Sequence, residues 1–104
     1  MHSLITDRRE PIAALCLHYG VTRLDVFGSA LRSDFDLAAS DIDLVVEFAP
    51  EPPGTAVDRY FQFKDPLEKL FQRPVDLVEL GALRSERLRR LIERAREPLY
   101  ATPA

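Results

Sequence analysis

The sequence contains a single cysteine, Cys16, among its 104 residues. One cysteine cannot form an internal disulfide, and no Cys/His spacing typical of a zinc site is present. Cys16 lies in the apolar run of residues 12–17, so we expect it to be a small buried hydrophobe. These shortages exclude a disulfide scaffold and a zinc-finger protein.

The sequence also lacks long apolar runs and an excess of positive charge. No stretch approaches the roughly 18 apolar residues of a membrane span, and the short apolar run near the N-terminus, preceded by charged residues 7–10, is unlike a signal peptide. Lys and Arg number 14 against 17 Asp and Glu, which gives a net charge of -3. This balance argues against a protein whose main task is to bind phosphate backbones. We therefore expect a cytoplasmic protein whose partner is neither a membrane nor nucleic acid.

The length of the chain predicts one small domain over residues 1–104, with a single core. Strand patterns cover residues 21–27, 41–48 and 75–80, and helical patterns cover residues 7–18, 29–32, 57–71 and 82–96. Pro66 predicts a kink, or a division into two helices. The order of elements predicts an α/β or α+β domain with a small mixed three-stranded sheet and flanking helices.

The last two long helices carry specific expectations about burial. In the last helix one stripe is predicted to face the core, and it consists of Leu88, Leu91, Ile92 and Ala95. The arginines of this helix alternate with glutamates, so we interpret them as a solvated face, with a patch for a partner protein or for phosphate as the alternative. In the preceding helix Phe61 is expected in the core. Phe63 falls off the apolar stripe, which makes it a candidate partner contact.

Two aspartates open an otherwise apolar strand. Asp41 and Asp43 are two residues apart, so their carboxylates project from the same face, roughly 6 to 7 Å apart along the strand. Like charges at this spacing are unfavourable unless a cation lies between them, and Mg²⁺ prefers such oxygen ligands. A pair of metal ions suits nucleotidyl transfer. The alternative is that Asp41 only caps a turn and Asp43 points to solvent.

Two further features favour the metal interpretation. Gly28 and Ser29 follow a strand, where glycine allows close approach to a triphosphate and the serine hydroxyl can bind its oxygens. They do not form a Walker A loop, because the second glycine and the Lys-Ser/Thr ending are missing. Asp76 lies inside an apolar strand, which is costly without a partner. A metal site shared with Asp41 and Asp43 supplies that partner.

The combination of these motifs resembles the minimal nucleotidyltransferase (MNT) family of the DNA polymerase β superfamily. The resemblance rests on the segments 27–32, 40–46 and 74–78, and it covers most of the chain. It implies a polymerase-β-like core in which Gly28 and Ser29 hold the nucleotide triphosphate. It also implies that Asp41 and Asp43 bind Mg²⁺, with Asp76 completing the metal site and the catalytic set near the attacking hydroxyl. Arg32 is a further candidate for contact with the triphosphate.

The resemblance also implies a function and a partner. Short members of this family are commonly antitoxins paired with a HEPN-type ribonuclease toxin, and they can transfer AMP from ATP to a tyrosine of that toxin. The leading hypothesis is therefore an Mg²⁺-dependent nucleotidyltransferase that acts by AMPylation, with ATP as substrate and two Mg²⁺ ions. One alternative is an antitoxin that acts by binding and occlusion. Another is a nucleotidyltransferase for small molecules.

Overall fold

The fold is described from a computed structural model, which describes residues 3–27, 41–50 and 56–102. The described elements alternate helices and strands along most of the chain. In chain order they are α1 (Ser3–Thr6), α2 (Arg9–His18), β1 (Val21–Phe27), β2 (Ile42–Phe48), α3 (Ala56–Phe71), β3 (Val75–Glu79), a 3₁₀ turn (Leu80–Ala82), α4 (Glu86–Ala95) and β4 (Glu97–Ala101). The short helix predicted at 29–32 lies outside the described residues.

The sheet has four strands in the order β3-β2-β1-β4. β1 pairs antiparallel with both β2 and β4, whereas β2 and β3 are parallel. The mixed α/β architecture is confirmed, but the predicted count of three strands is wrong. The sequence pattern missed β4 because that strand contains Pro98 and only one buried residue, Leu99.

One side of the sheet, here called the apolar face, carries the main core. Ile42, Leu44 and Val46 alternate along β2 and are fully or almost fully buried, and they pack in one cluster with Leu24 and Leu77 of the neighbouring strands. Helices α2 and α3 cover this face through another set of buried residues, Ile12, Cys16, Phe63, Leu67 and Phe71. Cys16 is buried as predicted, and burial raises the pKa of its thiol to about 12.

Local sequence signals explain the end of α2 and the start of α4. Gly20 follows α2 with a φ of 69°, in the left-handed region that glycine adopts without a steric penalty. The Ser85 hydroxyl accepts a hydrogen bond from the backbone N–H of Leu88 at 3.2 Å, which caps the start of α4. Because of this cap α4 begins at Glu86, later than the residue 82 expected from the pattern.

Helix α3 runs through Pro66 without a break between Ala56 and Phe71. Of the two alternatives predicted at Pro66, the division into two helices is therefore wrong. Phe63 and Leu67, on either side of the proline, are both fully buried, so packing against the sheet holds the helix together despite the lost N–H. The assignments of the two phenylalanines are also reversed, because Phe63 is in the core and Phe61 is 58% exposed.

The opposite side of the sheet, here called the carboxylate face, carries Asp43 and Asp76 together with Val45 and Val78. These residues share one face because side chains alternate along each strand. Helix α4 packs on this face through Ile92, which is in a small cluster with Val45 and Leu80. Of the predicted apolar stripe only Ile92 is buried; Leu88 is 45% and Leu91 54% exposed, and Ala95 is also exposed.

Both edges of the sheet are protected. On the outer edge of β3, the Tyr60 hydroxyl donates to the Leu77 carbonyl, and the Val75 N–H donates to the Glu68 carboxylate at 2.9 Å. On the other edge, Pro98 lacks an N–H, and the β1–β4 register shifts between Leu24 and Asp25. These features interrupt the row of backbone hydrogen-bonding groups at each edge.

Among the residues that the structure describes, no helix has the length and apolar character that crossing a bilayer requires.

Candidate active site

The sheet register brings two of the predicted carboxylates side by side. Asp43 of β2 is the direct parallel partner of Asp76 in β3, and on its other side it is paired with Phe27, the last residue of β1. Asp41 lies just before β2 and is exposed, whereas Asp43 is half-buried. Asp76 is also exposed, so the expectation that its place in an apolar strand is costly without a partner is wrong. The three aspartates therefore meet at the end of the sheet where β2 and β3 begin and β1 ends.

The charges of Asp41 and Asp76 both act on the carboxylate of Asp43. Its pKa is raised, first because burial disfavours the charged carboxylate, and then because Asp76 and Asp41 repel that charge. The repulsion shows that Asp41 and Asp76 both lie within electrostatic range of Asp43. A cation placed among them would relieve the repulsion.

The donor set fits a magnesium ion that is shared with a nucleotide. Within residues 3–27, 41–50 and 56–102, no three His, Cys, Asp or Glu side chains form a cluster that could hold a metal ion by themselves. Mg²⁺ in nucleotide sites is usually bound by one or two carboxylates, with substrate phosphates and water as the remaining ligands. Asp43, flanked by Asp41 and Asp76, supplies carboxylate oxygens of this kind.

The predicted nucleotide-binding residues Gly28, Ser29 and Arg32 lie outside the described residues. Phe27, the last described residue before them, ends β1 and is the strand partner of Asp43. The triphosphate site at Gly28, Ser29 and Arg32 stays a prediction.

A charge network that sequence analysis missed lies on the same face. Asp25 of β1 is fully buried and binds Arg96, whose side chain is 7% exposed. Arg96 also donates to Glu47 of β2 at 2.7 Å, and the Nε of Arg23 lies 2.9 Å from Asp25. The network joins the end of α4 to β1 and β2. The alternation of β1 could have revealed it, because Asp25 is a charged residue between Leu24 and Val26.

Tyr60 lies near Asp76, although the helical pattern placed it only in the core. Its pKa is raised, mainly by burial and then by the charges of Asp76, Glu79 and Glu68. Its hydroxyl donates to the Leu77 carbonyl. Tyr60 therefore fixes α3 against the strand that carries Asp76.

A cavity of about 570 Å³ lies elsewhere, between the end of α2 and the first half of α3. Its lining includes Leu17, Tyr19, Asp58 and Gln62, and none of the three aspartates takes part. It belongs to the side of the sheet covered by α2 and α3. The cavity is therefore separate from Asp41, Asp43 and Asp76.

Comparison with known proteins identifies the family. The model of the nucleotidyltransferase domain family matches residues 9–98. The chain belongs to the nucleotidyltransferase domain family. This nucleotidyltransferase is also 35% identical over 75 residues to a Methanocaldococcus jannaschii protein provisionally named a protein adenylyltransferase, and the match covers 72% of each chain.

Solved structures show the same fold. A structure provisionally described as a minimal nucleotidyltransferase is 34% identical, with a TM-score of 0.73 and coverage of 89% of this nucleotidyltransferase and 90% of that chain. A chain from the complex of a tri-AMPylated Shewanella oneidensis HEPN toxin with an MNT antitoxin has a TM-score of 0.65 at 21% identity, covering 93% and 72% of the two chains. A chain from a toxin–antitoxin complex with AMP-PNP has the same TM-score and identity, covering 90% and 73%.

Proposed function

We propose that this nucleotidyltransferase transfers AMP from ATP to a tyrosine hydroxyl of a HEPN-type toxin and thereby neutralises it in the cytoplasm. The observation that carries the proposal is the pairing of Asp43 with Asp76 across β2 and β3, with Asp41 close enough to raise the pKa of Asp43. The M. jannaschii relative supports protein adenylylation by its name. The toxin complexes support the partner class, because they share the fold.

The proposed roles follow from the positions of the carboxylates. Asp41 and Asp43 would hold two Mg²⁺ ions together with the triphosphate, and these ions would supply charge neutralisation at the reacting phosphate. Asp76 completes the set, and it accepts or orients the proton of the tyrosine hydroxyl. The hydroxyl oxygen forms a bond to the α-phosphorus, the bond to pyrophosphate breaks, and pyrophosphate leaves. Gly28, Ser29 and Arg32 bind the triphosphate in this proposal.

The test is AMP transfer to the neighbouring gene's product, measured with ATP labelled at the α-phosphate and by intact-protein mass. We expect the wild-type chain with Mg²⁺ to label that protein and Asp43→Asn to lower the rate by about 10²–10³-fold, as for the loss of one group that stabilises transition-state charge. The matched control is Asp58→Asn, because Asp58 is an exposed aspartate of α3 outside the carboxylate cluster. That control should keep wild-type rates.

Two results would contradict the proposal. Equal labelling by the wild type and by Asp43→Asn would show that the Asp43 carboxylate has no role in AMP transfer. Protection of cells from the toxin by Asp41→Ala and Asp43→Ala variants would show that the chain neutralises its partner by occlusion, without transfer.

A further inference from the structure

The outward surface of α4 combines exposed leucines with arginines. Leu88 and Leu91 are 45% and 54% exposed, although the helix has a packed side at Ile92, which is only 4% exposed. The α4 outer surface is defined here as these two leucines with Arg87, Arg90 and Arg94. Exposing two leucines of one helix to water is unfavourable in free energy, because their apolar surface is not buried. Such an exposed apolar patch indicates a surface that is covered in a complex.

This surface is cationic in an acidic protein. Helix α4 contains four arginines and two glutamates, a net charge of +2, whereas the whole chain has a net charge of -3. Arg90 pairs with Glu86 at 3.6 Å, but Arg87 and Arg94 make no ion pair within the described part of the chain. A shallow cavity of about 500 Å³ runs along the helix, and it is lined by Glu86, Arg87, Arg90, Leu91 and Arg94.

The α4 outer surface also lies on the side of the sheet where the reaction is proposed to occur. Ile92 packs α4 onto Val45, which neighbours Asp43 on the carboxylate face. Arg96 fixes the end of the helix to Asp25 and Glu47. A protein that brings a hydroxyl to Asp43 approaches this same side, so it can contact α4 without rearrangement of the fold.

We propose that the α4 outer surface is the docking site for the acceptor protein, which presents acidic side chains around an apolar centre. The proposal rests on the proposed function for the identity of that partner. Arginine is enriched in protein interfaces, and Leu91 between Arg87 and Arg94 provides an apolar centre with a charged rim. A second copy of this chain does not fit, since a two-fold interface through this surface places arginines opposite arginines. Exposed leucines and the interleaved Glu86 and Glu93 disfavour RNA.

The test measures binding of the neighbouring gene's product by titration calorimetry, separately from AMP transfer. We expect Arg87→Glu/Arg94→Glu and Leu91→Ala each to weaken binding by about tenfold or more, the effect of removing a central interface residue. The matched controls are Lys69→Glu and Leu17→Ala, because both residues are exposed on α3 and α2, across the sheet from α4. They should bind like the wild type. Circular dichroism melts verify that each variant is folded.

The outcomes separate this inference from the proposed function. Binding that is weakened only in the α4 variants supports the docking site. If the wild type binds in this way but transfers no AMP, only the proposed function fails. Unchanged binding in the α4 variants, or no binding by the wild type, overturns the docking site. A labelled single-stranded RNA that binds the wild type but not the α4 variants, while protein binding is unchanged, also overturns it and assigns the surface to RNA.

Discussion

The two faces of the sheet are built on different principles. The apolar face is filled by alternating aliphatic residues and by two helices, and most of its side chains are fully buried. The carboxylate face has one helix, a small apolar cluster, and charged groups at both ends: the aspartates at one end and the Asp25–Arg96–Glu47 network at the other. The apolar face is stabilised by the packing of buried side chains, whereas the carboxylate face is stabilised by one small apolar cluster and by the ion pairs of Arg96.

The comparison predicts that the largest single loss of stability lies on the apolar face. Phe63→Ala removes a fully buried ring between α3 and the sheet, where it also contacts Tyr19 and Phe48. We expect a loss of about 3–5 kcal/mol in the free energy of unfolding, because the ring leaves a cavity in a packed core. Urea denaturation measures this. Phe61→Ala, at a 58% exposed position on the same helix, should cost far less.

On the carboxylate face the largest loss should come from breaking the buried charge network. Asp25→Asn leaves the buried Arg96 with Glu47 as its remaining ionic partner. We expect a loss of about 1–3 kcal/mol, the cost of a buried group that loses a charged partner. The control is Asp65→Asn, which breaks an exposed pair with Lys69 at 3.1 Å and should cost less than about 1 kcal/mol. Equal losses of unfolding free energy in Asp25→Asn and Asp65→Asn would mean that the buried ion pair of Asp25 stabilises the fold no more than an exposed pair does.

A smaller effect is expected at Tyr60, which connects α3 to β3. Tyr60→Phe removes the hydrogen bond to the Leu77 carbonyl and keeps the ring. A loss of about 1 kcal/mol follows, the usual net value of one hydrogen bond. Tyr19→Phe is the matched control, since the Tyr19 hydroxyl makes no hydrogen bond among the described residues. If both variants melt at the same temperature, the Tyr60 hydroxyl does not stabilise this edge.

The smallest expected effect is a gain in stability on the carboxylate face, in contrast to the losses expected from the other substitutions. The pKa of Asp43 is raised in the folded protein, so folding favours its neutral form. This contribution is complete below the unfolded pKa, about 3.8, and is lost as the pH rises through the folded pKa. Asp43→Asn should therefore melt slightly above the wild type at neutral pH in metal-free buffer, although it has lost activity.

The melting-temperature difference between Asp43→Asn and the wild type should disappear when both are measured below the unfolded pKa of the carboxyl. Asp58→Asn serves as the reference for a change at an exposed aspartate. A wild type that is more stable than Asp43→Asn at neutral pH would show that the charged form of Asp43 is stabilised in the fold.

Three of the four strands and the pair of aspartates on β2 and β3 could be predicted from the sequence because their signals are local. Alternation gave β1 over residues 21–27, and it placed Asp43 and Asp76 on apolar strands. The parallel register that makes these two aspartates direct partners depends on how α3 crosses the sheet, and no local pattern encodes it.

The missed features depend on tertiary partners. The spacing of Leu88, Leu91 and Ile92 predicts that all three are buried, but of these only Ile92 is buried, against Val45. The pair of Arg96 with Asp25 holds the end of the helix to β1. Strand β4 was missed for a similar reason, since its five residues acquire strand structure only by pairing with β1. Long-range contacts therefore determine which side chains of α4 are buried and that residues 97–101 form a strand.

The protected edges of the sheet affect whether another molecule can pair with it as an added strand. Tyr60 and Glu68 occupy outward backbone groups of β3, and Pro98 interrupts the hydrogen-bonding row of β4. An extended segment of another molecule therefore finds no continuous row with which to form an intermolecular sheet, so fibril-like stacking is disfavoured. Recognition of other proteins is left to side chains, whose chemistry can be selective in a way that backbone pairing is not.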